Sequence, residues 1–117
     1  MLTRQEAIDR CMTLAGAYED YPFSDPNWTV MRRRDTRRGF CWIFERNGKI
    51  WINLKTDPGW GEVWCKAFPS VLPAYHMNKK YWISVILDGS VPEETIFGLI
   101  DESYALCGKG PTGKPAR

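Results

Sequence analysis

One histidine, four scattered cysteines and no hydrophobic run of membrane length set the first limits on this 117-residue chain. Any Ser-His-Asp or Cys-His pair would have to run through His76, so nucleophilic catalysis has a single route. Cys11, Cys41, Cys65 and Cys107 contain no C-x-x-C spacing, which argues against a zinc site and against a thioredoxin-like motif. Each cysteine falls in an apolar pattern, so four buried free thiols are expected. No apolar stretch approaches the ~20 residues of a membrane span. The opening MLTRQEAIDR lacks the apolar centre of a signal peptide, so a cytoplasmic protein with no membrane contact is expected. Glycine-rich phosphate and dinucleotide fingerprints are absent. The acidic neighbours Glu19-Asp20 and Glu93-Glu94 do not face one another on regular structure. The expectation is therefore no enzyme, no catalytic residue, no metal and no cofactor.

The charge that is present is unevenly spread. The net balance is only +2, yet Arg32–Arg38 (RRRDTRR) holds five arginines against one aspartate. Asp88–Glu102 holds five carboxylates and no cation. A weak net charge does not favour strong non-specific binding to nucleic acid, although a local basic patch can serve. The length suits one domain over residues 1–107 with a core of its own. Residues 108–117 (GKGPTGKPAR) lack large apolar side chains and read as a disordered basic tail.

The clearest local signal is Phe40–Lys55, two strands joined by Asn47-Gly48, the dipeptide that a two-residue hairpin loop demands. This turn sets Arg46 opposite Lys49, then Phe44 opposite Trp51, Trp42 opposite Asn53 and Phe40 opposite Lys55. Opposed residues share a face and alternate residues swap faces. Cys41, Ile43, Ile50, Ile52 and Leu54 then form one face, suited to a helix-covered core. Phe40, Trp42, Phe44 and Trp51 form the other, beside Arg46, Lys49, Asn53 and Lys55.

Around this hairpin the capping-box pair Thr3 and Glu6 opens a helix over about 3–15. Ala17–Asn27 is turn-rich and reads as an ordered loop, because Tyr18, Tyr21 and Phe23 are too apolar to leave in water. Trp28–Arg34 alternates as a strand, giving a three-stranded meander. Asp57-Pro58 opens a second helix, which Pro69 stops. Ser70–Lys80 is irregular, Tyr81–Leu87 is a strand, and a capping box at Ser90 and Glu93 opens a final helix of about 15 residues. The order helix, three strands, helix, strand, helix predicts an α+β fold with helices packed on one face of an antiparallel sheet.

Two binding readings follow. In the first, the opposite sheet face binds DNA. Arg32, Arg33, Arg34, Lys55, Lys79 and Lys80 would contact phosphates, and Trp42, Trp51 and Trp82 would stack or wedge. Asn53, His76 and Asn78 would complete that surface. The segment Tyr75–Trp82 (YHMNKKYW) concentrates this mixture. In the second, Tyr75, His76, Asn78 and Trp82 line a pocket for a protein partner or a small anionic ligand held by Lys55 and Lys79. Against both stands a plain structural reading. The tryptophans form a second small core under the Ala17–Asn27 loop, His76 is a hydrogen-bonded loop residue, and RRRDTRR is a solvated loop.

Three segments resemble the MmcQ/YjbR family over nearly the whole chain: LAGAYEDYPF at Leu14–Phe23, ERNGKIWINLKTDP at Glu45–Pro58 and PAYHMNKKYWISVILDGSVPEE at Pro73–Glu94. The resemblance implies an α+β domain similar to the frataxin-like (CyaY-like) fold and a family commonly labelled DNA-binding. It marks Asn53, Lys55, His76, Asn78, Lys79 and Trp82 as surface positions. A frataxin-like iron role would need an acidic ridge on the first helix. Glu6 and Asp9 are offset there by Arg4 and Arg10.

Overall fold

A computed structural model describes residues 1–108. The elements run α1 (Arg4–Met12), β1 (Ala17–Asp20), β2 (Thr29–Arg33), β3 (Gly39–Arg46), β4 (Lys49–Lys55), α2 (Pro58–Ala67), β5 (Val71–Pro73), β6 (Trp82–Ile86) and α3 (Glu93–Leu106). The six strands form one antiparallel sheet in the order β1-β2-β3-β4-β6-β5. Ala7, Ile8 and Cys11 of α1 and Ile96, Leu99 and Ile100 of α3 are buried in the same core as Ile43, Ile52 and Leu54. Trp64, Cys65 and Phe68 of α2 pack against that core. The helices thus gather on one face of the sheet, and the fold class is α+β. Of the expected tail at 108–117, all but Gly108 lies outside the described residues. No helix among the described residues is long and apolar enough to cross a membrane.

The β3–β4 hairpin has the register that its turn demands, from Arg46 opposite Lys49 to Cys41 opposite Leu54. Asn47 and Gly48 both take positive φ, 55° and 73°. The ladder stops one pair short of the expected Phe40–Lys55 rung. Across β2, Met31 pairs with Cys41 but Arg32 pairs with Gly39, so Phe40 is the extra residue of a β-bulge. The bulge turns the Phe40 ring onto the helix face, where it is fully buried and meets Tyr104 of α3 edge-on at 5.3 Å. Phe40 therefore leaves the outer aromatic row in which strict alternation placed it. In the missing rung stands Ser103 of α3. Its hydroxyl donates to the Phe40 carbonyl at 2.6 Å and accepts the Lys55 N–H at 2.8 Å.

Two strands were not expected. Ala17–Asp20 pairs with β2 as an edge strand, and Val71–Pro73 adds a short edge beside β6. Proline is tolerated at such an edge because it has no ladder bond to donate there. The first helix keeps its capping box at Thr3 and Glu6. The last helix does not use Ser90: its N-cap is Pro92, without a side-chain bond. Ser90 instead turns back on Asp88. The Ser90 N–H and hydroxyl reach Asp88 Oδ1 at 3.0 and 2.7 Å, while the Ser70 hydroxyl donates to Oδ2 at 2.6 Å. Three of the four cysteines are buried free thiols; Cys65 is only half-buried. Burial, then the Cys11 sulfur beside it, pushes the Cys41 thiol well above its ordinary pKa, and burial likewise raises Cys65 and Cys107.

Two outcomes are expected. Ser103→Ala strands a buried carbonyl and a backbone N–H together, and costs about 1–3 kcal/mol in urea denaturation. Exposed Ser24→Ala, as a control, changes little. Hydrogen bonds from the Ser70 and Ser90 hydroxyls and the Ser90 amide hold the Asp88 carboxyl down at about 2. A carboxylate with a depressed folded-state pKa adds stability above its unfolded value, near 4, and loses it as pH falls toward 2. A pH series of thermal melts should show that loss in the native protein and a shallower decline over the same window in Asp88→Asn.

Candidate functional site

The outer sheet face carries Trp42 and Phe44 from β3 and Trp51 and Asn53 from β4, and no helix covers it. Two loops do. Trp28 stacks on Phe44 with ring centroids 4.3 Å apart, and Tyr75 stacks on the same ring at 5.6 Å. Phe23 reaches over to Trp28 and Trp42 at 6.3 and 6.2 Å. The 21–28 segment and the 74–81 loop thus close much of the face.

Each loop is tied down by a side-chain amide. The Asn27 side chain plays the part of a strand neighbour to Glu45: Nδ2 donates to the Glu45 carbonyl at 3.0 Å and Oδ1 accepts the Glu45 N–H at 2.8 Å. The Arg4 guanidinium of α1 also donates to Asn27 Oδ1, at 3.0 Å. On the other side, fully buried Asn53 donates to the Tyr75 carbonyl at 2.8 Å. Ser84 Oγ donates to Asn53 Oδ1 and accepts the Tyr75 N–H at 2.9 Å. Both backbone groups of Tyr75 are thereby fixed. The next residue, His76, sits in the left-handed region at φ 61°, with its ring against Tyr75 at 4.0 Å. Strain of this kind collects at functional sites.

Between the loops remain two adjoining depressions of about 250 Å³ each, which share Asp25, Trp28 and His76. Phe23, Trp42 and Met77 complete one. Phe44, Glu45, Arg46 and Tyr75 line the other. A guanidinium marks each end of the combined cleft. Arg46 lies 4.4 Å over Tyr75 and 5.0 Å over Trp51, and Arg32 lies 5.9 Å over Trp42. Trp42 is seated at the foot of the arginine-rich hairpin. Its Nε1 donates to the Gly39 carbonyl, and a Cβ on Gly39 would come within 2.9 Å of the indole.

This placement divides the residues expected to act together. Trp42 and His76 line the cleft. Trp51, 6% exposed, and Asn53 lie beneath the loops and cannot touch a ligand directly, so their expected contacts are replaced by supporting roles. Arg32 is ion-paired to Asp20 at 2.7 Å. Arg33 is paired to Asp35 at 2.7 Å and donates to the Tyr104 carbonyl. Arg34 is exposed and lies over Tyr18. Lys55 is half-buried at the sheet end, and burial, reinforced by nearby Arg38, lowers its pKa. Lys79 and Lys80 turn away toward α2, where with Cys65, Lys66 and Ile83 they border a separate depression of about 260 Å³. Asn78 is spent on the turn: its Oδ1 accepts the Lys80 N–H, and its carbonyl accepts the Tyr81 and Trp82 N–H groups. Trp82 packs at the margin of the helix-side core. Asp25, Trp28 and Met77 were not expected to line a site, while Phe23 was read only as an apolar residue of the covering loop and Arg46 only as part of the outer hairpin face. For Phe23 and Asp25 the signal was a turn-rich loop too apolar to leave in water; Trp28 reads as the first residue of the strand that follows it. Among the described residues no group of three or more His, Cys, Asp or Glu is placed to hold a metal ion.

The model of the YjbR family matches residues 12–106. The chain belongs to the YjbR family. It is 31% identical to the Bacillus subtilis protein YyaQ, over 91% of this chain and 98% of that protein. It is 33% identical to YjbR of Escherichia coli K12, over 88% of this chain and 85% of that protein. The fold agrees with the crystal structure of Deinococcus radiodurans DR2400, a DUF419 domain, at a TM-score of 0.86 and 32% identity, covering 97% of this chain and 86% of that one. A Pseudomonas syringae protein matches at a TM-score of 0.81 and 29% identity, over 90% and 98% of the two chains. The YjbR match runs through both loops that build the cleft.

A left-handed residue other than glycine costs roughly 1–2 kcal/mol, and glycine escapes that penalty. His76→Gly is therefore expected to hold or raise stability in urea denaturation, by up to about 1 kcal/mol after glycine's entropic cost. A marked loss instead would show that the imidazole is needed for packing rather than held for a ligand.

Proposed function

We propose that this YjbR-family protein is a non-catalytic nucleic-acid-binding module that takes one unpaired base at a time into the aromatic cleft. The observation that carries the reading is the juxtaposition at Trp42, where a cleft walled by Phe23, Trp28 and Met77 meets the foot of the arginine hairpin. Aromatic walls stack bases of any identity, and guanidinium groups neutralise the phosphates between them. The cations are a different set from a flat sheet-face interface. Arg34, Arg37 and Arg38 form no salt bridge among the described residues and belong to the segment that leads into Gly39, whose carbonyl Trp42 Nε1 reaches, while Arg46 lines the other half of the cleft. Asp25 and His76 supply polar groups for a base edge. Each depression, at about 250 Å³, has room for a base but not for a base pair with its backbones, so single strands are the preferred form. Its capacity of about 250 Å³ also favours a second reading, a free planar anion such as a nucleotide, with no polymer involved.

Tryptophan quenching and anisotropy with short single- and double-stranded DNA, and with mononucleotides, separate the two. Single-strand affinity should fall by roughly two to three decades per decade of salt, as ~0.7 per phosphate contact predicts for three to four contacts. Phe23→Ala, which removes a half-exposed ring, should weaken binding about tenfold. Arg34→Glu/Arg37→Glu should flatten the salt dependence. Saturation by mononucleotides without a polymer preference would favour the second reading. No binding of any of these at low salt would sink both.

A further inference from the structure

The helix α2 faces solvent with a surface that the cleft does not use. Trp60 is 55% exposed and Val63 48% exposed, and Gly59 and Ala67 are exposed beside them. Trp60, Trp64 and Phe68 form a ladder of rings at 6.4 and 6.1 Å along one flank. An exposed tryptophan next to an exposed valine on a regular helix is an unusual surface for a lone soluble domain. Glu62 and Lys66, one turn apart, occupy the other flank.

We infer that α2 pairs with α2 of a second copy of this chain, antiparallel, about a two-fold axis between Val63 and Trp64. Three features select that occupant. Gly59, Val63 and Ala67 recur at every fourth position and leave a shallow ridge on which another helix can lie closely. In an antiparallel pair each flank meets its own copy, so Glu62 of one chain reaches Lys66 of the other and the reverse, giving two ion pairs. A parallel pair would bring opposite flanks together, setting Glu62 and Lys66 against the Trp60–Trp64 rings and leaving both charges without a partner. On the opposite flank the same operation sets bulky Trp60 against small Ala67, so volumes match as well as charges. Residues 109–117 contribute no apolar side chain larger than proline and do not suit this stripe as an occupant. A ten-residue helix is about 15 Å long and offers less than the roughly 800 Å² per partner of a standard interface, so the inferred pairing is a small, reversible one.

Sedimentation velocity of the full chain from about 5 μM to 1 mM tests this. The expected result is a monomer–dimer equilibrium in that range, weakened at least tenfold by Val63→Glu with an unchanged circular-dichroism melt. Glu62→Lys alone and Lys66→Glu alone should each weaken self-association. Mixing these two variants should restore a dimer, now a mixed one, and the double exchange should restore the self-pair. A chain that stays monomeric to 1 mM overturns the inference, as does a dimer indifferent to Val63→Glu or to the charge reversals.

Discussion

The β3–β4 hairpin is apolar on both faces, and most of the architecture answers the need to cover two sides of one small sheet. Burial of aromatic side chains is worth kilocalories each, while loops without helices supply little core of their own. The three helices all go to the face bearing Ile43, Ile52 and Leu54. The other face, with Trp42, Phe44 and Trp51, is left to two irregular segments. Irregular backbone over an apolar surface must have its polar groups satisfied, and this is why an amide anchors each loop. Asn27 completes the edge of β3 at Glu45, and Asn53 with Ser84 completes both backbone groups of Tyr75.

The bulge at Phe40 belongs to the same constraint. Without it, Phe40 would add a further ring to the overfull outer face and leave a gap under α3. With it, Phe40 joins the helix-side core, and the interrupted rung is taken over by Ser103. One inserted residue therefore shifts an aromatic side chain from one layer to the other and binds α3 to the sheet by its only fully buried hydroxyl.

What the chain disclosed in advance follows from this division. The hairpin register was legible because Asn47-Gly48 permits few alternatives, and the helices because apolar stripes are local signals, although of the expected side-chain caps only the Thr3 box forms. The fold class followed from their order. The edge strands β1 and β5 were not legible. Both are short, one is acidic and the other contains Pro73, and each exists only because a neighbouring strand is there to pair with. The bulge was hidden for a related reason: nothing local to Phe40 marks it, and the contact that holds its ring on the helix face comes from Tyr104, more than sixty residues away in sequence. The candidate site was half legible. Aromatic and cationic residues were recognised as a mixture, but the loop 74–81 sends His76 and Met77 to one cleft and Lys79 and Lys80 to another. Alternation along a strand can be read from sequence; the direction of a side chain from a loop cannot.

The same physics separates scaffold from surface among the arginines. Arg32 and Arg33 lie on β2, where their stems are held against Trp42 and Tyr104 and their charges are met by Asp20 and Asp35. A guanidinium already paired and partly desolvated has little left to offer a phosphate, since a new contact must replace an existing one. Arg34 and Arg37 are exposed beyond the paired strand, so a phosphate there displaces chiefly water. The run RRRDTRR is thus two things in sequence: a pair of struts that hold β2 to its neighbours, then a group of cations around the turn. Trp42 sits between them, with Arg32 over its ring and its Nε1 on the carbonyl at the end of the turn. A ligand stacked in the cleft would touch the cations and the struts through that one indole. The strongest support for a recognition role is therefore the place of Trp42 at this junction, rather than the number of basic residues nearby.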